Sequence, residues 1–151
     1  EVGYYPEIIL AGRNLNNGMA NFVTEQALQL LEEQGTELER SKVLIMGLTF
    51  KENCPDIRNT KVIDLVKIFS DKGCVVDVFD PHVDKVSAKN NLGIDLISYP
   101  QQESYDLIIL AVQHQDFQEL GIKKIREFSK NNGVVYDLKY LFSSEETNAR
   151  L

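Results

Sequence analysis

The stretch KVLIMGLTF, at residues 42–50, is a short apolar run that leads into a turn. It is followed by TKVIDLVKIFSDKG at residues 60–73, whose apolar side chains recur every three or four positions, as in an amphipathic helix. CVVDVFDP at residues 74–81 is a second apolar run, and its proline ends it. Strand, helix and strand in this order predict parallel strands that are covered by helices.

The same alternation continues to the end of the chain and sets the fold class. We predict an α/β, Rossmann-like five-stranded parallel sheet with helices on both faces and the strand order 3-2-1-4-5. After the first two strands, the predicted elements are a polar helix at residues 83–91, a weak strand at 95–99, a strong strand at 105–113, a helix at 121–133 and a strand at 134–138.

The N-terminal part of the chain has a different pattern. Apolar residues from Ile8 to Leu31 are spaced by three and four, which predicts one stripe of a long helix of about 27 residues, or roughly 40 Å. A helix of that length more often bridges domains or subunits. We therefore divide the chain into a long helix at residues 1–36 and a Rossmann-like domain at residues 37–151.

Composition excludes several classes of protein. The net charge of −7 disfavours sequence-independent nucleic-acid binding, which needs a surplus of cations on one face. We expect no membrane span, because no apolar run approaches about 20 residues. Two cysteines in unlike contexts, Cys54 and Cys74, indicate a reducing compartment, so we expect a cytoplasmic protein. Two histidines without ligand spacing predict no metal site.

The loop at residues 47–60 is the candidate site. In open parallel sheets, ligands bind where the strand order reverses, which here is between the first and fourth predicted strands. This loop occupies the place of a dinucleotide fingerprint but has only its first glycine, so backbone cannot approach a pyrophosphate in the usual way. Lys51 and Arg58 must then supply any anion recognition, and Phe50 is suited to cover a base or a sugar.

Other roles for the polar residues near this edge stay open. Lys51 and Arg58 have the alternative of being solvated or paired with Glu52 and Asp56. Asp80 ends the second strand, where dinucleotide-binding proteins hold a ribose hydroxyl, but a structural role is favoured without the partner glycines. His114 ends the fourth predicted strand, and either ligand contact or a structural role fits it. Cys54 has no histidine near it in sequence, and we assign it no chemistry.

The loop and the elements after it resemble a known family. GLTFKENCPDIRNTKVIDLVKIFSDKGCVVDVFDP, at residues 47–81, resembles the C-terminal domain of the UDP-glucose/GDP-mannose dehydrogenase family, whose members carry G-x-x-F-K-x-x-x-x-D-x-R, then a helix, a strand and an aromatic-Asp-Pro. Within that family, the sequence of this stretch is most similar to the bacterial UDP-N-acetyl-hexosamine (glucosamine, galactosamine or mannosamine) 6-dehydrogenases. YYPEIILAGRNLNNGM, at residues 4–19, is similar to the central helix of that branch.

This resemblance implies an NAD-dependent oxidation of a UDP-sugar C6 alcohol to a carboxylate through a catalytic cysteine, for surface polysaccharide biosynthesis. It implies that Phe50 and Lys51 contact the UDP-sugar, and that Arg58 reaches the NAD of an N-terminal domain. Lys139 stands where the family has a substrate-binding arginine, so a fork-shaped contact is lost. The family's helix forms the dimer core, which implies a homodimer through the N-terminal helix.

We expect the chain to be a C-terminal fragment that is inactive alone. The family's NAD-binding domain and its cysteine segment are not found in this sequence, so no catalytic residue is assigned. The alternative function is a stand-alone, non-catalytic nucleotide-sugar-binding or regulatory module. A signalling receiver domain is disfavoured, because the first strand ends in GLTFK rather than in a cluster of carboxylates that holds magnesium.

Overall fold

The structure is a computed structural model, and it describes the backbone of residues 7–151 and the side chains from residue 18 onward. Residues 1–6, which include the start of the stretch that resembles the central helix, lie outside the described residues. The elements are α1 (Glu7–Glu33), β1 (Lys42–Met46), α2 (Val62–Asp71), β2 (Val75–Phe79), α3 (Lys85–Leu92), β3 (Tyr105–Leu110), α4 (Gln115–Leu120), α5 (Ile122–Arg126), β4 (Ser129–Asp137) and β5 (Ala149–Arg150).

The sheet is parallel throughout and has the order β2-β1-β3-β4-β5. The predicted α/β, Rossmann-like sheet is therefore confirmed. The predicted third strand lies next to β2, as expected, but it is reduced to one bridge between Leu96 and Val78. Pro100 follows shortly afterwards and has no N–H to donate, which shortens the strand. The fifth strand, β5, has only two residues, too few to give a periodic signal.

The predicted helix at residues 121–133 is wrong in its second half. The helix ends at Arg126, and β4 already begins at Ser129. Tyr105 pairs with Ser129 but Leu107 pairs with Val134, so extra residues bulge from β4 between these two pairs. The polar sequence KNNG is typical of a helix end. In the fold it lies beside β3 and forms part of β4. The short helix α4 lies between the predicted strand at 105–113 and the predicted helix at 121–133, where no helix was predicted.

Two apolar layers cover the sheet, as the prediction of helices on both faces requires. Alternate residues of β1 point to opposite faces, so Val43 and Ile45 join the layer under α1 and α2, whereas Leu44 and Met46 join the layer under α4 and α5. The second half of α1 is part of the first layer through buried Val23, Ala27 and Leu31, among others. This packing places α1 beside the carboxyl ends of the strands, where the candidate site lies.

The long helix predicted at the N-terminus is present as α1, Glu7–Glu33. Its described half is tied to the sheet by a hydrogen bond of 2.7 Å from the Tyr136 hydroxyl to Oε1 of Gln26. The division of the chain at residue 36 stays a prediction. Among the helices in residues 7–151, none combines the length and the apolar character that crossing a membrane requires.

Candidate functional site at the carboxyl edge of the sheet

Gly47, directly after β1, allows the ends of two neighbouring strands to approach closely. Its φ is +97°, and a Cβ placed there would lie 2.5 Å from Cβ of Val112 and 2.9 Å from the Val112 backbone nitrogen. Only glycine fits such a contact and such a φ without strain. The single glycine of the loop therefore sets the path of residues 48–60 across the switch point between β1 and β3.

The carboxylate of Asp80, at the end of β2, holds the start of this loop. Its Oδ2 accepts hydrogen bonds from the backbone N–H groups of Leu48 at 2.6 Å and Thr49 at 3.2 Å, and its Oδ1 accepts one from the His82 N–H at 2.8 Å. Burial by itself would raise the pKa of Asp80, but hydrogen bonds from His114 and from the Leu48 and His82 N–H groups outweigh it and lower the pKa. Asp80 is thus an ionised, structural residue.

This arrangement also tests whether a dinucleotide fits the turn after β1. In a dinucleotide-binding fold, N–H groups of that turn and of the following helix face the pyrophosphate. Here the N–H groups of Leu48 and Thr49 already face the carboxylate of Asp80. The turn therefore does not fit the pyrophosphate of NAD, in agreement with the missing glycines of the fingerprint.

His114, the residue directly before α4, ties the loop to the segment that follows β3. It is fully buried, and its Nδ1 accepts a hydrogen bond of 2.9 Å from the Asn53 N–H. Because Nδ1 accepts, we place the ring proton on Nε2, which lies 3.0 Å from Oδ2 of Asp80 and 3.3 Å from Oγ1 of Thr49. The Thr49 hydroxyl in turn donates to the Lys51 carbonyl at 2.7 Å. The turn at residues 49–53 is therefore fixed at both of its ends.

A cavity of about 370 Å³ opens beside this turn. Phe50, Lys51 and Lys139 all line it, although Lys139 lies far from the other two in sequence. The apolar part of its wall comes from α1, α2 and the end of β3, with Met19, Ala20, Val23, Val62, Leu65, Ala111 and Val112. The structure thus brings the three predicted substrate-binding residues together. An apolar cavity with a few convergent polar groups is the usual form of a small-molecule site.

Three lysines line this cavity: Lys51, Lys139 and Lys61, whose Nζ lies 3.5 Å from Oδ2 of Asp64. Lys51 is exposed and lies beside the ring of Phe50, with Nζ 5.9 Å from the ring centroid. Within the part of the chain that the structure describes, no carboxylate lies within 4.0 Å of Nζ of either Lys51 or Lys139. The ion pair between Lys51 and Glu52, which the sequence left open as an alternative, is not found among the described residues. Such lysines are suited to bind a phosphate.

Asp137, the last residue of β4, places Lys139. Its buried carboxylate accepts hydrogen bonds from the backbone N–H groups of Lys139 at 3.0 Å and Phe142 at 2.9 Å. The turn after β4 is therefore held in the same way as the turn after β1, by a strand-end aspartate that accepts backbone hydrogen bonds. Sequence reasoning missed Asp137; its signal is an acidic residue at the end of an otherwise apolar strand.

Arg58 lies outside the cavity. Its side chain is 84% exposed, and its Nε and Nη2 donate to the two carboxylate oxygens of Asp56 at 3.0 and 2.9 Å. The side-chain hydrogen bonds from Arg58 lower the pKa of Asp56 to about 2. The alternative that Arg58 pairs with Asp56 is therefore what the structure shows. The Arg58 side chain does not line the cavity together with Phe50 and Lys51.

Several residues of the cavity wall were not among the predicted site residues, and two of them lie at the end of the loop. Thr60 and Lys61 line it at the end of the loop, just before α2. The Thr60 hydroxyl accepts a hydrogen bond of 3.2 Å from the Val62 N–H at the start of α2. Their place at the end of the motif loop, at the same edge of the sheet as Lys51, is the signal that points to them.

The parallel sheet and the cation-bearing cavity at its carboxyl edge define the class of doubly wound α/β domains that bind a ligand at a switch point. A family model, the UDP binding domain of the UDP-glucose/GDP-mannose dehydrogenase family, matches residues 44–144. The chain belongs to this family. The resemblance drawn from the loop motif is thereby confirmed.

Comparison with known proteins gives relatives over almost the whole chain. The chain is 50% identical to a UDP-N-acetyl-D-glucosamine 6-dehydrogenase of Salmonella typhi and 46% identical to one of Pseudomonas aeruginosa, in each case over 99% of this chain. It spans only 35% and 36% of the length of those two relatives. A solved NDP-N-acetyl-D-galactosaminuronic acid dehydrogenase of Methanosarcina mazei has a TM-score of 0.80 at 25% identity, covering 95% of this chain and 30% of that one.

Proposed function

We propose that this chain is the nucleotide-sugar-binding part of an NAD-dependent UDP-sugar 6-dehydrogenase, which oxidises the sugar C6 alcohol to a carboxylate for surface polysaccharide biosynthesis. The observation that carries the proposal is the cavity in which Phe50, Lys51 and Lys139 converge, in a domain that matches a UDP binding domain. The relatives support an N-acetylated UDP-hexosamine as the substrate, because both are UDP-N-acetyl-D-glucosamine 6-dehydrogenases.

In this proposal the cavity binds the UDP-sugar by complementary charge and shape. Lys51 and Lys139 each donate charge-assisted hydrogen bonds to the diphosphate, and the exposed ring of Phe50 covers an apolar face of the ligand. Lysine acts as a point charge rather than as a fork, so Lys139 supplies attraction without the bidentate geometry of the family's arginine. The apolar wall excludes water, which strengthens these hydrogen bonds.

NAD supplies hydride acceptance, and the proposal assigns its binding mainly to the part of the relatives' length that this chain does not span. The occupied turn after β1 supports this assignment, because its N–H groups already bind Asp80. The exposed guanidinium of Arg58 keeps donors that do not bond to Asp56, and we assign them to the NAD phosphates across a cleft. No catalytic group is assigned to residues 1–151, and we expect the chain by itself to be inactive.

The proposal includes a homodimer in the cytoplasm, with α1 at the subunit interface. Phe22 is a large apolar side chain, 49% exposed, on the face of α1 opposite the one that packs on the sheet, which supports an interface on that face. Analytical ultracentrifugation of the full-length protein at micromolar concentration tests this: a dimer is expected. A Phe22→Asp variant is expected to dissociate, whereas a matched change at exposed Glu25 to Gln is not. A wild-type monomer contradicts the dimer.

The substrate and cofactor roles are tested in the full-length enzyme. Lys51→Ala is expected to raise KM for the UDP-sugar by roughly 10- to 150-fold, the loss of one charge-assisted hydrogen bond, and to leave KM for NAD unchanged. Arg58→Ala is expected to raise KM for NAD instead. Steady-state kinetics on both substrates separate the two defects, provided that substrate dissociation is fast compared with turnover. A Lys51→Ala enzyme with altered KM for NAD alone would disprove the site.

The alternative, a stand-alone binding or regulatory module, is not favoured, because the relatives that match 99% of the chain are dehydrogenases. It predicts UDP-sugar binding by a protein without turnover. Turnover of UDP-sugar by the full-length protein with NAD therefore separates the two functions, and its absence despite UDP-sugar binding supports the module.

A further inference from the structure

We propose that His114 is a positioning residue that holds the turn carrying Phe50 and Lys51 in the geometry that binds the nucleotide sugar; this inference rests on the function proposed above. His114 does not line the cavity and is fully buried. Its role is therefore exerted through the residues to which it is hydrogen-bonded.

Both nitrogens of the buried ring are used, and they bond to different segments. Nε2 donates to Asp80 at the end of β2, while Nδ1 accepts from the Asn53 N–H in the loop. The ring is also packed between His82, with ring centroids 4.6 Å apart, and Phe117, at 5.2 Å. Close packing fixes the orientation of the buried His114 ring, so the hydrogen bond from Asn53 to this ring fixes the position of the loop.

The turn that carries Phe50 and Lys51 is hydrogen-bonded to Asp80 at its start and to His114 at its end. It begins at Thr49, whose N–H donates to Asp80, and it ends at Asn53, whose N–H donates to His114. In its middle, the Thr49 hydroxyl donates to the carbonyl of Lys51. The backbone of Lys51 is thus fixed by the protein, whereas its ammonium group contacts only the Phe50 ring among the described residues. Fixing the backbone in advance lowers the entropic cost of binding.

Asn53 shows that the end of the turn needs support. Its φ is +55°, a left-handed conformation that costs a non-glycine residue free energy. Two hydrogen bonds offset this: the N–H donates to Nδ1 of His114, and Oδ1 accepts from the Gln115 N–H at 2.8 Å. Loss of the Nδ1 acceptor is therefore expected to release the end of the turn, and with it the position of Lys51.

The two ring nitrogens are separable by substitution in the full-length enzyme. Asparagine places an oxygen near the position of Nδ1, so His114→Asn keeps the acceptor for Asn53. Glutamine reaches the position of Nε2, so His114→Gln keeps the donor to Asp80 and loses the acceptor. We expect His114→Gln to raise KM for the UDP-sugar about two- to tenfold, the effect of one neutral hydrogen bond, and His114→Asn to stay within about twofold of wild type.

KM for NAD is expected to stay unchanged in both variants, because Arg58 is held by Asp56 and not by His114. A general loss of structure would instead alter both Michaelis constants and kcat together. Calorimetric titration with UDP measures the same difference without turnover. Equal UDP-sugar KM values in the two His114 variants, or parallel changes in both Michaelis constants, would overturn the positioning role.

A double-mutant cycle with Lys51→Ala completes the test. If His114 acts by placing the turn that carries Lys51, then His114→Gln has a smaller effect on KM for the UDP-sugar once the Lys51 side chain is absent. Additive effects would contradict the proposal. If Lys51→Ala itself leaves that KM unchanged, the proposed substrate site fails, which is a separate outcome from failure of the positioning role.

A second pair of variants covers the case in which His114→Gln does not fold. Thr49→Val removes the hydroxyl that donates to the Lys51 carbonyl, and Thr49→Ser retains it. Thr49→Val is expected to raise KM for the UDP-sugar about two- to tenfold, with recovery in Thr49→Ser. Thermal unfolding is measured for each variant to check that it is folded. The same KM in both Thr49 variants would contradict the proposal.

Discussion

The two edges of the sheet use lysine in opposite ways. Near the amino ends of the strands, Nζ of Lys42 lies 3.2 Å from the Asp77 carboxylate, and Nζ of Lys130 lies 2.9 Å from that of Asp106. At the carboxyl edge, Lys51 and Lys139 have no carboxylate partner within 4.0 Å among the described residues. The amino edge thus neutralises Lys42 and Lys130 within the protein. At the carboxyl edge Lys51 and Lys139 stay available for a ligand, whereas Arg58 and Lys61 pair with Asp56 and Asp64.

The aspartates at the two edges explain the difference. Asp77 at the amino edge also accepts a hydrogen bond of 2.8 Å from the Tyr105 hydroxyl, and burial together with this bond raises the pKa of Tyr105. At the carboxyl edge, Asp80 and Asp137 accept hydrogen bonds from loop backbone instead. Among the described residues, neither carboxylate lies within 4.0 Å of a lysine ammonium group, so they do not neutralise Lys51 or Lys139. The comparison therefore predicts structural roles for the aspartates and ligand roles for the lysines of the carboxyl edge.

The largest expected effect follows from breaking the carboxyl edge at Gly47. Gly47→Ala adds a Cβ that meets Val112 at 2.5 Å, at a φ of +97°. We expect a loss of about 2 to 5 kcal/mol in the free energy of unfolding, from overpacking and the left-handed backbone together. Urea denaturation measures it. Gly35→Ala is the matched control, since φ there is +72° but no atom lies within 4 Å of the added Cβ. Equal losses in both variants would contradict the close strand approach.

The next effect compares lysines of the two edges directly. In the full-length enzyme, Lys139→Ala is expected to raise KM for the UDP-sugar roughly 10- to 150-fold, while Lys130→Ala leaves it unchanged. Lys139→Arg is expected to bind at least as well as wild type, because the guanidinium adds a second donor in a fork. Steady-state kinetics of the three variants provide the measurement. A loss of affinity in Lys130→Ala as large as in Lys139→Ala would remove the distinction between the edges.

A smaller effect is expected from Asp80, whose ionisation makes the free energy of unfolding depend on pH. Its pKa is lowered in the folded protein, so its stabilising contribution is complete above the unfolded value of 3.8 and is lost as the pH falls through the folded pKa. Urea denaturation between about pH 3 and pH 6 is expected to show a shallower dependence of the free energy of unfolding on pH in Asp80→Asn than in wild type. Parallel curves would show that the partners of Asp80 do not favour its ionised form.

The smallest effect is expected at the amino edge. Lys130→Ala removes a pair in which the lysine is half exposed, so water competes for its charge, and Asp106 keeps its hydrogen bond from the Lys42 N–H. We expect a loss of less than about 1 kcal/mol in the free energy of unfolding, and a smaller loss still at high salt. Denaturation at two salt concentrations checks this. A loss well above that range would show that the amino-edge pairs stabilise the sheet more than surface pairs do.

The sequence predicted the sheet and the candidate loop because both depend on local patterns. Apolar runs and helical spacing identified β1, α2 and β2, and the motif around Phe50 and Lys51 lies in one continuous stretch. It failed at residues 127–133, where a polar segment joins β4 only because β3 lies beside it. The site roles of Phe50, Lys51, Lys139 and Arg58 stay predictions, to be decided by the kinetic tests.

By itself, the sequence determined that this is a parallel α/β sheet of the UDP-glucose/GDP-mannose dehydrogenase family, with a loop after β1 that carries Lys51 and Arg58. Only the tertiary structure decided what holds that loop and what faces it. The bond from Leu48 to Asp80 joins residues 32 apart, and the bond from Asn53 to His114 joins residues 61 apart. Lys139 reaches the same cavity as Lys51 because the carboxyl ends of parallel strands share one edge. Such contacts depend on strand order and register, which the folded sheet sets.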